Sequence, residues 1–159
     1  MATDVDPAVS VPDSSADRMR VSRLTEDISF LLARSNALSL AAGNAALAEH
    51  GLRVRSYSVL ALVADEARPS QRDLASFLRL DPSQVVALVD DLERRGLVRR
   101  EADPTDRRTN VVVATREGRE LLNSAQRATR EAEMALHQQL TASQRETLSE
   151  LLRLIAFPS

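Results

Sequence analysis

Apolar residues recur at helical spacing through Leu24, Ile28, Leu31, Leu32 and Leu38, and the alanine-rich stretch ALSLAAGNAALAEH carries the pattern on to Gly51. Positions three and four apart share one face of a helix, so this spacing predicts a long amphipathic helix over 21–52. A second helix is expected over about 55–65. ARPS then breaks the chain before a short third helix over about 71–78, opened by Ser70 and Asp73 as an S-x-x-D cap. A fourth starts at Asp81 and Pro82, the favoured pair at a helix entrance, and stops at Gly96. The period then changes: LVRREA and TNVVVAT read as two short strands around a DPTD turn, a β-hairpin. A long helix over about 116–140 follows, with Leu121, Leu122, Ala125, Ala128, Ala132 and Ala135 on one side. Thr141 and Gln144 form a capping box for a last helix striped by Leu148, Leu151, Leu152 and Ile155.

The expected fold is mainly α with a small β-hairpin wing. Helix, helix, tight turn, helix, hairpin is the order of a winged helix-turn-helix, in which the helix after the turn enters the major groove of DNA and the hairpin reaches the backbone beside the minor groove. RLD is a short enough turn, Ala75 is small where the two helices cross, and Val85, Val86, Leu88, Val89 and Leu92 give the reading helix a core side.

Composition sharpens this. At 159 residues the chain most naturally forms one domain. Residues 1–20 carry Pro7, Pro12, serines and Asp4, Asp6, Asp13 and Asp17, which reads as a disordered tail. No run of apolar residues is long enough to span a membrane, and the N-terminus resembles neither a secretory nor a transit signal, so a soluble, cytoplasmic protein is expected. Cysteine is absent, and His50 and His137 lack metal-ligand spacing; no metal and no cofactor is expected. There is no nucleophile elbow, Gly-rich phosphate loop or H-E-x-x-H, so an enzyme is not expected either. Net charge is −2, and all 21 basic residues are arginine. Any affinity for nucleic acid must therefore come from local clustering, and from Arg94 to Arg119 eight arginines face four acids, an excess of +4.

Residues 70–122 resemble the core of MarR-family transcriptional regulators, including the D-x-R-x5-L-T wing signature, present as Asp106, Arg107, Arg108, five residues, then Ala114 and Thr115. The resemblance implies a homodimer with intertwined terminal helices, one N-terminal (21–52) and two C-terminal (116–159), around a winged unit (53–115). Leu24, Ile28, Leu148, Leu151, Leu152 and Ile155 would form the dimer contacts. It further implies binding of double-stranded DNA at a palindromic operator, usually as a repressor, relieved by a small aromatic or anionic effector such as an aromatic acid or an aromatic acyl-CoA. The DNA-binding residues would be Ser70, Gln71, Arg79, Ser83, Gln84, Ala87, Arg99, Asp106, Arg107 and Arg108. Arg108, with Arg107, would enter the narrow minor groove, where negative potential is enhanced, while Asp106 pairs with an arginine or caps the turn. Gln84 can pair bidentately with adenine, Ser83 can donate to a phosphate or base, and Ala87 can touch a thymine methyl.

Departures from the family pattern matter as much. Ala87 and Asp91 stand where many relatives are basic, and Asp90 adds a second negative charge. Both acids are expected to turn toward Arg94 and Arg95 as i,i+4 partners. Arg79 replaces the usual turn glycine, so the turn either avoids positive φ or holds a strained residue. Arg53 stands where Ser or Thr usually caps the second helix. Together with Arg34, Ser35, Asn36, His50, Arg55 and Tyr57 it is expected to form the effector site, the arginines supplying cations for a carboxylate or the phosphates of an acyl thioester. Ala87, Asp90 and Asp91 also leave open a rival, a winged-helix interaction module that has lost DNA binding.

Overall fold

The computed structural model describes residues 14–65, 67–103 and 108–158. The chain falls into two units, Met1–Leu38 and Ser39–Ser159. In the first, Ser14 caps a short helix, α1 (Ser15–Arg20), its Oγ accepting from the Asp17 N–H at 3.1 Å. Structure was not expected here; a local cap supplies it. The long helix also begins later than its apolar spacing implied. Ser22 Oγ takes the Leu24 N–H at the head of a 3-10 turn (Arg23–Glu26), and Asp27 then accepts the Phe30 N–H at 3.0 Å to start α2 (Ile28–Leu47), whose residues from Ser39 onward belong to the second unit. The rest of the expected tail, 1–13, lies outside the described residues.

The second unit holds α3 (Val54–Ala64), α4 (Gln71–Leu78), α5 (Pro82–Arg94), β1 (Val98–Ala102), β2 (Asn110–Ala114), α6 (Arg116–Leu136) and α7 (Ala142–Ala156). The protein is thus mostly helical with one two-stranded antiparallel sheet, paired from Val98 opposite Ala114 to Ala102 opposite Asn110. Pro69 O accepts from the Val112 N–H at 2.9 Å, so the link before α4 lies along the free edge of β2. Val111, Val112 and Val113 are all buried although they alternate between faces, so the strand is covered on both. The core joins Leu60 and Val63 of α3, Leu74 of α4, Val85, Val89 and Leu92 of α5, and Leu122 and Ala125 of α6. Val86, expected on this side, is instead 40% exposed, because a step of one residue from Val85 rotates it off the buried stripe.

Three helical segments stop in the same way, and the stops set the geometry of the winged unit. At each, one residue at the end turns left-handed and two N–H groups fold back on the last carbonyls, a Schellman motif. Gly51 (φ +62) ends the 3-10 turn Ala48–His50, with Leu52 N–H on Leu47 O at 3.1 Å. Gly96 (φ +71) ends α5, with Leu97 N–H on Leu92 O at 2.9 Å. Arg79 (φ +53) ends α4, with Leu80 N–H on Ala75 O at 3.1 Å. Of the two alternatives at Arg79, the strained one is therefore realised. Close packing is tightest at Gly118: a Cβ there would lie 2.0 Å from Leu97 O, where the start of α6 crosses the entry to β1. Thr115 fixes that crossing, its hydroxyl donating to Gly96 O at 2.7 Å while accepting from the Gly118 N–H at 3.0 Å.

Candidate nucleic-acid interface

Helix α5 is aimed by its N-terminus. Asp81 accepts from the Ser83 N–H at 2.8 Å and from the Ser83 hydroxyl at 2.5 Å, and these bonds hold its carboxyl below the usual carboxylate range. With Val85, Val89 and Leu92 facing the core, the helical period turns Ser83, Gln84 and Ala87 outward, where all three are exposed. Ser83 is engaged in the cap. Gln84 makes no side-chain hydrogen bond among the described residues, which leaves its amide donor and acceptor available to a base edge.

The acids of α5 divide between two tasks. Asp91 takes Arg94 at 3.1 Å and Arg95 at 3.5 Å, as expected. Asp90 does not turn toward Arg94. Its Oδ1 accepts instead from the Arg100 guanidinium of β1 at 2.5 Å, because that half-buried cation reaches back across the helix and needs acceptors there. Glu93 also accepts from Arg100, through its guanidinium and through its backbone N–H at 3.0 Å, and Gln71 Oε1 takes the Nε at 3.0 Å. Burial alone pulls the Arg100 pKa down; the Asp90 and Glu93 carboxylates outweigh it and leave the guanidinium more firmly charged than usual.

At the root of the wing, Glu101 bridges Arg68 and Arg99, each at 2.5 Å, which holds its carboxyl below the usual range. Arg68, Arg99 and Arg119 line one cleft with Asp65 and Val113. Ser70 caps α4: its Oγ accepts from the Asp73 N–H at 3.2 Å and Asp73 returns the bond to the Ser70 N–H at 2.9 Å. Ser70 and Gln71, both expected at DNA, thus use their side chains within the fold. Arg79 is exposed in the turn, and Arg108 is exposed just before β2. Asp106 and Arg107 lie outside the described residues.

Of the residues expected at an effector, Arg34, Ser35 and Asn36 are exposed on α2 in the first unit. The others belong to the second. His50 Nε2 lies 3.0 Å from Ser124 Oγ of α6, and its Nδ1 is buried with no hydrogen-bond partner among the described residues. Arg53 and Arg55 are exposed, and Tyr57 is half-buried against the core.

The MarR family model matches residues 50–109. A crystal structure of a MarR-family transcriptional regulator from Rhodococcus sp. RHA1 is 44% identical, covers 87% of this chain and 99% of its own, and superposes with a TM-score of 0.81. The chain belongs to the MarR family of transcriptional regulators. CouR from Rhodococcus jostii RHA1, solved bound to p-coumaroyl-CoA, is also 44% identical over 87% of this chain and 98% of its own, at a TM-score of 0.79. A transcriptional repressor named CouR, solved on a 23-mer DNA duplex, is 28% identical over 86% of this chain and 96% of its own, at 0.78. Among curated relatives, MhqR of Bacillus subtilis (strain 168) is 32% identical over 75 residues, 47% of this chain and 52% of its own length. The chain spans about half the length of the curated relatives it matches, from 49% to 58%.

Several residues of this MarR-family protein were not singled out by the sequence. Asn44 is one: with Arg53 unable to accept at the cap of α3, Asn44 Oδ1 takes the Val54 N–H at 2.9 Å, and Ser56 Oγ takes the Arg53 N–H at 2.9 Å. Glu93, Arg100, Arg68 and Glu101 are the others. A cap that lost its acceptor was the signal for Asn44, since the open N–H groups had to find one elsewhere. Nothing in the spacing marked the pairing of Asp90 with a residue ten positions on.

Proposed function

We propose that this MarR-family regulator binds a palindromic operator as a homodimer, most simply as a repressor, and is released by a small anionic or aromatic effector, an aromatic acid or an aromatic acyl-CoA. The observation that carries the DNA-binding part is the outward face of α5, where Gln84 and Ala87 are exposed, on the same unit as a wing root that carries Arg68 and Arg99. Gln84 reads a base, Ser83 and Arg79 meet the backbone, and Arg99 and Arg108 carry the wing's share of phosphate and minor-groove contact. The acids that favoured a winged-helix module without DNA binding are occupied by Arg94, Arg95 and Arg100, so they no longer argue for it.

A second copy covers the exposed apolar residues of the terminal helices, Leu24 and Ile28 in the first unit and Leu148, Leu151, Leu152 and Ile155 on α7. Two reading helices must then stand about 34 Å apart to meet successive major grooves, and an effector that favours any other separation lowers affinity by its differential affinity for the two states. In the second unit Arg53 and Arg55 supply cations to that effector, with His50 and Tyr57 beside them. A CouR neighbour solved with p-coumaroyl-CoA supports the ligand class.

The test is a gel shift on duplexes drawn from a random-sequence pool, followed by titration of aromatic acids and their coenzyme A thioesters against wild type, Arg53→Ala and Arg55→Ala. The selected duplexes should be palindromic, binding should fall steeply with salt, and release should need a higher ligand concentration in the variants. Failure to select any duplex sinks the DNA-binding reading. Equal release of all three proteins sinks the effector site.

A further inference from the structure

We propose that Asp90 is a positioning residue for DNA recognition: together with Glu93 and Gln71 it holds Arg100, and through it the first strand of the wing, against the reading helix. The inference rests on the DNA-binding reading above, and it runs against the simplest electrostatic expectation for an acid on that helix.

Three elements meet at one guanidinium. Arg100 lies in the middle of β1, opposite Val112. Its Nε and one terminal nitrogen donate to Gln71 Oε1 of α4, at 3.0 and 2.6 Å. The same terminal nitrogen donates to Asp90 Oδ1 of α5 at 2.5 Å, and the other donates to Glu93. Glu93 also takes the Arg100 backbone N–H, on the edge of β1 that has no strand partner among the described residues. Both helices of the helix-turn-helix and the wing are therefore clamped by a single planar cation, which is 25% exposed in its side chain. Guanidinium is suited to this because its donors fan out in a rigid plane, so each acceptor fixes an angle as well as a distance.

The wing matters to a regulator of this kind only if its arginines and the reading helix engage one duplex at once. Minor-groove and major-groove contacts are rigidly spaced along DNA, so loosening the hairpin by a small angle forfeits one set when the other is made. Asp90 is 52% exposed in its side chain, and removing it leaves the core untouched. An exposed acid near DNA repels phosphate, and on charge alone Asp90→Ala should tighten binding. On the geometry it should weaken it.

Two substitutions separate these outcomes. Asp90→Asn keeps an acceptor oxygen for Arg100 and removes the charge; Asp90→Ala removes both. Measured on a selected duplex at fixed salt, Asp90→Ala should lose about tenfold or more in affinity while Asp90→Asn stays within about threefold of wild type. If both variants bind as tightly as wild type or tighter, the clamp has no role in recognition. The wing contact supplies a readout that general destabilisation would not move. Arg108→Ala should cost less in the Asp90→Ala background than in wild type, since a displaced wing has less to lose; independent, multiplying effects would overturn the proposal. Amide exchange of Arg100 in the free protein decides the structural half without DNA. It should speed up at least tenfold in Asp90→Ala, and unchanged protection would overturn the clamp. Should wild type bind no duplex, the DNA-binding reading falls, and the exchange result alone still says whether Asp90 holds the wing.

Discussion

Helices α5 and α7 are of similar length, and both begin with a well-formed cap, yet they end in opposite states. In α5 the apolar positions Val85, Val89 and Leu92 are fully buried. In α7 no residue is buried, and Leu148, Leu151, Leu152, Leu154 and Ile155 are between 37% and 72% exposed. Capping and an apolar stripe are thus enough to make a helix, but not to give its stripe a neighbour. One helix finds its partner in its own chain. The other leaves its stripe exposed, which is where the proposal above places a second subunit.

The comparison breaks most decisively at α7. Replacing Leu151 and Leu152 together by Asp places two charges where the proposal puts a second subunit. The expected outcome is a monomer by sedimentation and loss of operator binding by a hundredfold or more, since one reading helix and one wing then act alone. Thermal unfolding of the winged unit should change little, because neither side chain supports its core. A double variant that stays dimeric and keeps its affinity would move the interface elsewhere.

At α5 the same kind of change should act on stability instead. Leu92 is fully buried among α3, α5 and the start of β1, and Leu92→Ala removes its side chain from a packed site. Truncations of this type cost about 2 to 5 kcal/mol, to be read from the urea midpoint, with the oligomeric state unchanged at low denaturant. If the two helices differ as argued, α7 variants change assembly and spare stability, and α5 core variants do the reverse. A similar response at both sites would erase the distinction.

How far the sequence disclosed all this follows the same division. Caps are local, so Ser70 with Asp73, Asp81 with Pro82, and Thr141 with Gln144 could be placed from spacing, and the helices they open begin where expected. The stop at Gly96 was equally legible, since glycine reaches positive φ without strain. Legibility fails where a partner comes from a distance. Helical spacing gives Asp90 a partner one turn away, whereas a strand residue, Arg100, claims it. The cap of α3 could be seen to be missing, but Asn44, ten residues upstream of Val54, could not be seen to replace it. Hydrophobicity alone places Val86 in the core, but its register faces it outward. Of the residues expected at DNA, Gln84, Ala87 and Arg79 are exposed; Ser70 is drawn into the fold by its own local cap, and Gln71 by the Arg100 guanidinium, a partner that no motif encodes.

The finest test lies at the turn that joins α4 to α5. Gly51 and Gly96 fill the left-handed position of their Schellman stops, and Arg79 fills the third at φ +53 with a side chain that gains nothing visible from the fold. A left-handed conformation costs an L-residue about 1 to 2 kcal/mol, and glycine gives back about 0.5 to 1 kcal/mol through its greater freedom in the unfolded chain. Arg79→Gly should therefore stabilise the protein by roughly 0.5 to 1 kcal/mol, seen as a higher urea midpoint at an unchanged slope. Strain of this size is commonly held where a residue has work to do, and the work proposed for Arg79 is a phosphate contact beside the reading helix. The same variant should then bind operator more weakly and lower the salt dependence by about two units of slope, one for each subunit of the proposed dimer. Stability and affinity would move in opposite directions from one substitution. A variant that gains stability with no change in affinity or salt slope would mean that the turn merely tolerates its arginine, and that DNA contact in this region is left to α5 and the wing.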